Sequence, residues 1–504
     1  MVKLQHLLKS ALLLALVLCL VLSVGCKKQT AKSTSSGEEI ASEEPLGLES
    51  EEVSEAESIA GTDGESKAAA ASKSAASTAP QKKAIDSYQP QDMKGYVFTV
   101  YDATRHGDYE LPARGTSYYD DAVLDNIEKV QRDFNCTIKY EFFDPINCFD
   151  QIFPKIMAGQ KAGDMLVVPT YSLTSFAQAE ALVDWKTIKT INLDSPYWRK
   201  EIIEAYTANG SIYGVGSDMH YLGAKVAGMM YNRDLVKQLG FEDPYDLAKK
   251  DKWTFDVFRA MCKAAVKDLD GDARMTQNDR YGLGGPFFNK ALFCSSGSKI
   301  LAKDAKGKLK FVMDSDKYAM STVQWLRNLR YTDNIFYNIP IEQWPTWYQM
   351  FVNGQILFIG CAANDASSGR DAEFNKGWIV NPKGPGATKW ESAIETNANV
   401  IGMTVTNPDK EKSAVIIKAL NALSKKNIDA WDKEIYDMYF DGDAKSIEMH
   451  KLCMNNISFD ATYMVRSSWF LFDVTVMKEK DPQQELEAWK PGIVDDLERK
   501  FNKW

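Results

Sequence analysis

The pattern of apolar and polar residues alternates between strand-like and helix-like segments in the region from residue 95 to residue 169. Short β-rich runs occur at 95–101, 137–143 and 164–169. Between them, apolar residues spaced three or four apart form two helical stripes: Val123, Ile127, Val130 and Phe134, then Phe149, Ile152, Phe153 and Ile156. Strand–helix alternation at this spacing is typical of a largely parallel sheet covered by helices. The sequence therefore predicts an α/β fold.

A later segment predicts a further helix of the same kind. Asn407, Pro408 and Asp409 form a typical helix start, with a capping residue and a proline near the first turn. Ile416, Ile417, Leu420 and Leu423 then give an apolar face. No repeat of 20–50 residues is visible, which argues against a solenoid or a propeller.

The N-terminal residues have the pattern of an export signal. Lys3 and Lys9 precede a charge-free run at 11–24, which is too short to span a bilayer at about 20 residues. The run ends in a small residue and Cys26, which resembles the bacterial lipoprotein processing site. We expect residues 1–25 to be a lipoprotein signal peptide and Cys26 to carry the lipid. A transmembrane anchor is the alternative.

An acidic, aromatic-free segment follows Cys26. No Phe, Trp or Tyr occurs before Tyr88, and residues 38–65 carry eleven acidic residues but no Lys or Arg. Such a composition buries too little apolar surface to offset the entropy lost on ordering. We expect residues 26–93 to be a disordered Ser/Ala-rich tether, with partner binding by the acidic run as the alternative.

Charge and motif content exclude several function classes. The net charge is −9, with 60 Lys and Arg against 69 Asp and Glu, and no basic stripe is present, so we expect no nucleic-acid partner. Only four His occur, and no HExxH, GxSxG, Walker A or GxGxxG motif is found. We therefore expect no enzyme and no required cofactor. A glycoside hydrolase stays open as an alternative because it needs only two carboxylates.

Several segments resemble, in order, the extracellular solute-binding proteins of ABC importers, of the family-1 type that is similar to maltose-binding protein. They are Ile212-Tyr213-Gly214-Val215-Gly216, Met230-Tyr231-Asn232-Arg233-Asp234-Leu235, Lys252-Trp253-Thr254-Phe255, Tyr281-Gly282-Leu283, Phe351-Val352-Asn353-Gly354-Gln355, and Gly377-Trp378-Ile379-Val380. The resemblance covers roughly residues 94–504. It implies a two-lobe, type II periplasmic-binding-protein-like fold with discontinuous lobes joined by hinge segments.

The resemblance also implies how the chain divides between the lobes. Residues 94–217 and 381–435 would form the first lobe, and residues 218–380 and 436–504 the second. The crossings would fall near residues 215–224 and 379–383. The ligand would lie between the lobes, beyond the carboxyl ends of the strands.

Aromatic and polar side chains at segment ends are the candidate ligand contacts, since sugar rings present C–H faces that pack on aromatic rings. The aromatic candidates are Tyr171 after a buried strand, Tyr213 and Tyr221 around the first crossing, and Trp344 and Trp347 in a cluster with Tyr348. The polar candidates are Arg105 and His106 after the first strand, Asp365 after the strand at 356–359, and Asn397 and Asn399 in the returning segment. Core packing and plain surface turns are the competing interpretations.

An acidic loop has the spacing of a calcium-binding EF-hand. Asp268, Asp270, Asp272 and Asp279 occupy positions one, three, five and twelve of this loop. Oxygen ligands suit Ca²⁺, although Ala273 stands where such loops normally have Gly. The sequence predicts a structural calcium site, with a solvated turn as the alternative.

Together these features predict an extracellular lipoprotein that binds a solute, most simply a mono- or oligosaccharide, and delivers it to an ABC permease. We expect a monomer on the extracellular face of the bacterial cytoplasmic membrane. A peptide or polyol ligand, a secreted carbohydrate-active hydrolase, and a surface adhesin or sensor without a transport role are the alternatives.

Overall fold

A computed structural model describes most of the chain after residue 86. The described residues are 87–104, 111, 113–208, 210–285, 288–339, 343–395, 398–459 and 480–498. They belong to one compact unit, Ala79–Trp504, while the other unit, Met1–Thr78, lies outside them. The predicted signal peptide, the lipid site at Cys26 and nearly all of the tether therefore lie outside the described residues.

Strands and short helices alternate through the described part of the chain. The strands are β1 (Tyr96–Asp102), β2 (Cys136–Phe142), β3 (Met165–Pro169), β4 (Trp198–Arg199), β5 (Thr207–Ala208), β6 (Ser211–Ile212), β7 (Gly216–Ser217), β8 (Ala227–Asn232), β9 (Tyr281–Gly284), β10 (Leu301–Lys303), β11 (Leu309–Phe311), β12 (Ile356–Ala362), β13 (Lys376–Ile379) and β14 (Asn399–Gly402). The α-helices are α1 (Tyr118–Phe134), α2 (Cys148–Met157), α3 (Thr170–Gln178), α4 (Lys200–Ala205), α5 (Arg233–Gln238), α6 (Pro244–Lys249), α7 (Phe255–Ala265), α8 (Phe288–Ser295), α9 (Ala319–Tyr331), α10 (Pro345–Val352), α11 (Lys410–Ala422), α12 (Lys425–Lys433), α13 (Ala444–Met454) and α14 (Pro482–Asp496).

The first four-stranded sheet has the order β14-β3-β1-β2. Strands β1, β2 and β3 are parallel, and β14 runs antiparallel to β3. Side chains of β3 alternate between two cores: Met165 and Val167 pack on one face, Leu166 and Val168 on the other. Because β3 is buried on both faces, apolar residues are needed at successive positions, which explains the continuous apolar run in the sequence.

Helix α1 shows how local sequence sets the elements around this sheet. The Ser117 side chain accepts a hydrogen bond from the Asp120 amide and caps the helix start. Asn135 ends the helix in a left-handed conformation with φ of 45°. The buried stripe of Ile127, Val130 and Phe134 faces the sheet as the spacing predicts.

The second four-stranded sheet has the order β13-β8-β12-β9. Strands β12 and β9 are parallel, β8 is antiparallel to β12, and β13 is antiparallel to β8. Every residue of β8, β9 and β12 is buried. The carboxyl ends of β9 and β12 therefore share one edge with the amino end of β8.

Two boundaries differ from the sequence expectation. The tether was expected to run to residue 93, yet the Tyr88 ring packs on Phe134, its hydroxyl donates to Asp133 at 2.6 Å, and Met93 is buried. These two residues supply apolar surface that the acidic segment lacks. Helix α11 is capped by Asp409, which accepts from the Lys412 amide at 3.0 Å. The capping carboxylate therefore follows the proline rather than preceding it.

Within the described residues, no helix has both the length and the apolar character needed to span a bilayer.

Candidate functional site

Two chain segments run side by side between the sheets. Val215 pairs with Ile401, and Val226 pairs with Ile394, both antiparallel. The return crossing therefore lies near residues 394–401, later than the expected 379–383. The reason is that the glycine-rich turn after β13 stays with the second lobe: the Lys383 amide donates to the Trp253 carbonyl at 3.0 Å.

The short return crossing holds the two sheet edges close together. The Ala227 amide at the start of β8 donates to the Ala393 carbonyl at 2.9 Å, and β14 begins at Asn399. Only four residue steps separate Glu395 from Asn399, so their Cα atoms are at most about 14 Å apart. Groups at the carboxyl edge of the second sheet are therefore within reach of a small solute that touches the first sheet.

At the edge of the first sheet, the structure brings Tyr171 and Asn399 together. Asn399 pairs with Pro169 across the β14–β3 ladder, and the Thr170 amide donates to the Ala398 carbonyl at 3.0 Å. Tyr171 lies in the first turn of α3 and is half-buried, and burial raises its pKa to about 12. This edge presents a neutral phenol and an amide.

At the edge of the second sheet, helix α10 supplies two aromatic side chains. Trp344 immediately precedes the first residue of the helix and is 46% exposed, and Tyr348 lies one turn later. Their rings meet edge to face at a centroid distance of 5.6 Å. The Tyr348 side chain is buried and its hydroxyl faces Asp365, but it makes no hydrogen bond of good geometry with any described residue. A buried hydroxyl without a partner is costly, which makes it a candidate for ligand contact.

Asp365, three residues after β12, is half-buried, and its carboxyl group lies near that of Glu395 on the return crossing, whose side chain is 6% exposed. The two carboxyl groups are close enough to shift each other's pKa. The Ala363 amide donates to the Val226 carbonyl at 3.1 Å, and the Glu395 amide donates to the Lys225 carbonyl at 3.0 Å. These backbone bonds place the two carboxyl groups on either side of the first crossing.

Lys225 is the cation that faces this pair. Its Nζ atom lies 3.5 Å from Glu395 Oε2, and the two side chains are 28% and 6% exposed, respectively. Burial, followed by the charge of Asp365, raises the pKa of Glu395 to about 8. Burial also raises the pKa of Asp365, although Lys225 opposes the shift. Near neutral pH the pair therefore holds one proton between its two carboxyl groups.

The same environment acts on two neighbouring groups. Burial and the nearby Asp365 carboxylate raise the pKa of the Tyr348 hydroxyl well above its ordinary value. Burial raises the pKa of the Cys361 thiol in β12 in the same way. Both groups are neutral at physiological pH, so the charges of this site come from Lys225 and the carboxyl pair.

The other predicted aromatic residues make their contacts with other parts of the protein. Trp347 is 2% exposed, donates from Nε1 to the Tyr337 carbonyl at 3.0 Å and packs on Phe336. Tyr221 is buried and donates to Asp432 at 2.7 Å.

Tyr213 is half-buried and contributes its amide to the Tyr206 carbonyl at 3.1 Å. These three side chains contact the protein core in the structure. Arg105, His106 and Asn397 lie outside the described residues.

Sequence reasoning missed Lys225 and Glu395. Lys225 is the only Lys or Arg between Lys200 and Arg233, in an otherwise apolar stretch. Glu395 directly follows Ala393 and Ile394, whose apolar side chains are buried. A single charge inside an apolar run was the available signal for Lys225, whereas Glu395 lies in a mixed polar segment that offers no such signal.

The acidic loop brings three of its four predicted calcium ligands together. One carboxylate oxygen from each of Asp268, Asp270 and Asp279 lies within 4.8 Å of the others. Asp279 accepts from the Leu269 and Thr276 amides at 2.8 and 2.6 Å. Ala273 adopts a φ of 61°, the left-handed conformation that a Gly would adopt at less cost.

The sequence of this chain matches a known family of binding proteins. Residues 117–426 match the family described as bacterial extracellular solute-binding proteins, and this match spans more than half of the chain. The chain belongs to this family. No curated protein gives a significant match to this solute-binding protein.

Solved structures of similar proteins share the fold of this solute-binding protein. An ABC substrate-binding protein from Listeria monocytogenes, in complex with cycloalternan, has a TM-score of 0.54 at 17% identity, covering 80% of this chain and 99% of that chain. The cyclic α-maltosyl-1,6-maltose binding protein from Arthrobacter globiformis has a TM-score of 0.57 at 13% identity, covering 80% and 99%.

An ABC-transporter-associated binding protein from B. animalis subsp. lactis, in complex with β-1,6-galactobiose, has a TM-score of 0.55 at 12% identity, covering 81% and 99%. At these identities the similarity concerns the fold. It confirms the predicted two-lobe, periplasmic-binding-protein-like α/β fold of the solute-binding protein.

Proposed function

We propose that this solute-binding protein captures a carbohydrate between its lobes and passes it to an ABC importer without altering it. The observation that carries the proposal is the set of polar groups at the two facing sheet edges. Tyr348 and the Asp365–Glu395 pair lie on one edge, and Asn399 begins the strand at the other. Hydroxyl-rich ligands both donate and accept hydrogen bonds, so they would satisfy such groups.

The ligands of similar proteins support the carbohydrate class. The Listeria monocytogenes protein was solved with cycloalternan and the B. animalis protein with β-1,6-galactobiose. The exposed Trp344 adds an aromatic face beside Tyr348, as sugar recognition requires.

The proposed mechanism is closure of the lobes around the ligand. A solute shifts the protein toward the closed form only by its higher affinity for that form. A ligand in contact with both Asp365 and Asn399 has such a difference in affinity, because it bridges the two edges only when they are close. The closed protein would then dock on a permease in the same membrane, while Cys26 carries the lipid anchor on the extracellular side and the segment that follows acts as a tether. We propose that the receptor acts as a monomer.

The carboxyl pair supports a receptor rather than a glycoside hydrolase. Retaining hydrolases hold their two carboxyl groups about 5–5.5 Å apart, with the scissile bond between them. Asp365 and Glu395 instead act directly on each other's pKa and share Lys225 as a neighbour, so they would lie on one side of a ligand rather than flank a scissile bond.

A thermal-shift screen of neutral and charged mono- and oligosaccharides tests the proposal, with calorimetry on each hit. We expect saturable binding that stabilises the protein and no change in the sugar after prolonged incubation. Cleavage of a labelled oligosaccharide by the purified protein would contradict the receptor and support the hydrolase. A screen without any carbohydrate hit would contradict the ligand class.

A further inference from the structure

The charges at the Asp365–Glu395 site are out of balance. Two buried carboxyl groups face one another and a single ammonium group, Lys225 Nζ, which is 3.5 Å from Glu395 Oε2. With both carboxyl groups ionised, the site would carry one excess negative charge. Burial of such a charge is costly, and the pair relieves it by holding a proton.

The uncharged neighbours of the pair give a second, independent indication of a ligand site, because two of their buried polar atoms have no hydrogen-bond partner of good geometry among the described residues. Tyr348 is 4% exposed, and its hydroxyl faces Asp365 without a hydrogen bond of good geometry to a described residue. The side-chain oxygen of Asn364, the residue before Asp365, is buried and also has no such partner. The site thus offers more hydrogen-bond acceptors than the described residues fill.

A protonated amine matches this arrangement better than a hydroxyl group does. An ammonium group has three N–H donors and no acceptor, whereas a hydroxyl group has one donor. Its positive charge balances the second carboxylate, and hydrogen bonds to charged groups are the stronger ones. An anionic sugar would instead add a third negative charge to the site.

We propose that the natural ligand is an amino sugar, whose ammonium group binds to the carboxylates of Asp365 and Glu395 beside the buried Tyr348 hydroxyl. This proposal rests on the proposed carbohydrate-binding function and specifies its substrate class. Binding then exchanges one cation for another, so the ligand amine enters charged and a proton leaves.

Three disaccharides that differ only at carbon 2 test the proposal. Chitobiose carries amines, N,N′-diacetylchitobiose carries neutral amides, and cellobiose carries hydroxyl groups. Calorimetry on the full protein at about pH 6.5, where sugar amines are protonated, compares their affinities. We expect chitobiose to bind at least about tenfold more tightly than either neutral disaccharide, because its ammonium bonds are charge-assisted. Titrations in two buffers of different ionisation heat should show release of about one proton with chitobiose and none with cellobiose.

Two variants test whether the preference for chitobiose and the proton release arise at the Asp365–Glu395 pair. Glu395→Gln removes the second carboxylate but keeps the shape of the side chain, so it should lose the preference for chitobiose and the proton release. Asp365→Asn removes the other carboxylate of the pair, so it should also lose the preference for chitobiose and the proton release. Glu373→Gln, an exposed residue in the loop before β13, is the matched control and should keep the preference.

Two results would overturn the amino-sugar assignment while the receptor function stands. One is binding of cellobiose or the acetylated sugar as tightly as chitobiose, and the other is an undiminished preference in both Glu395→Gln and Asp365→Asn. If none of the three disaccharides binds, the assignment also fails. The receptor function fails only if the wider oligosaccharide screen is negative as well.

Discussion

The buried carboxyl pair should make the stability of the protein depend on pH with an unusual sign. The pKa of Glu395 rises from its ordinary value of 4.5 to about 8 in the folded protein. Between these two values the folded state holds a proton that the unfolded state has released. Stability is then fully present below the unfolded pKa and is lost as the pH rises through the folded pKa.

The size of this pH dependence can be worked out from the one proton that the folded state holds and the unfolded state releases. One proton held only by the folded state changes the free energy of unfolding by about 1.4 kcal/mol per pH unit. From about pH 5 to about pH 7, this proton accounts for a loss of roughly 2–3 kcal/mol in the free energy of unfolding of the wild-type protein. Glu395→Gln has no such proton to lose, so this part of the pH dependence should vanish.

Urea unfolding followed by tryptophan fluorescence at about pH 5, 6 and 7 measures the difference. The free energies of unfolding of the wild-type protein and Glu395→Gln should converge or cross, with the variant gaining roughly 2–3 kcal/mol relative to the wild type as the pH rises. The free energy of unfolding of the control variant Glu373→Gln, at an exposed position, should change with pH as that of the wild type does. If the free energy of unfolding of Glu395→Gln changed with pH in the same way as that of the wild type, the shared proton would be refuted.

Three further predictions concern aromatic side chains and the acidic loop. Trp344→Ala should weaken sugar binding about two- to tenfold with an unchanged melting temperature, whereas buried Trp347→Ala should lose about 3–5 kcal/mol of stability; equal melting curves would contradict this division. Tyr221→Phe should cost about 1–3 kcal/mol in urea unfolding, because Asp432 loses its donor; an unchanged midpoint would show that this bond is dispensable. Calcium at about 1 mM should raise the melting temperature of the wild type but not of Asp270→Asn, and calorimetry without heat would remove the calcium prediction.

The architecture could be predicted because its signals are local. The apolar run at 164–169 and the helical stripe ending at Phe134 both became buried elements at nearly the expected bounds. Periodicity reports which face of an element is buried, and that information lies within a few neighbouring residues.

The site could be predicted only in part because it depends on distant pairings. Asp365 was recognisable as an acidic residue after a strand, but its neighbour Glu395 is thirty positions away and is placed by the Val226–Ile394 bridge. The two tryptophans of one cluster also differ in a way that sequence does not reveal: Trp344 is 46% exposed and Trp347 only 2%. Their closeness in the sequence predicted a shared cluster, while the packing of Phe336 and Tyr337 decides which ring is covered.

The position of Glu395 on the return crossing has a mechanical consequence. A rotation of one lobe about the crossing segments moves atoms in proportion to their distance from that axis. Glu395 and Lys225 are joined by a backbone hydrogen bond between the two crossing segments, so under the proposed closure they would move less than groups farther from those segments. A solute bound there would keep its first contacts during closure, and contacts with the outer parts of the lobes would be added last.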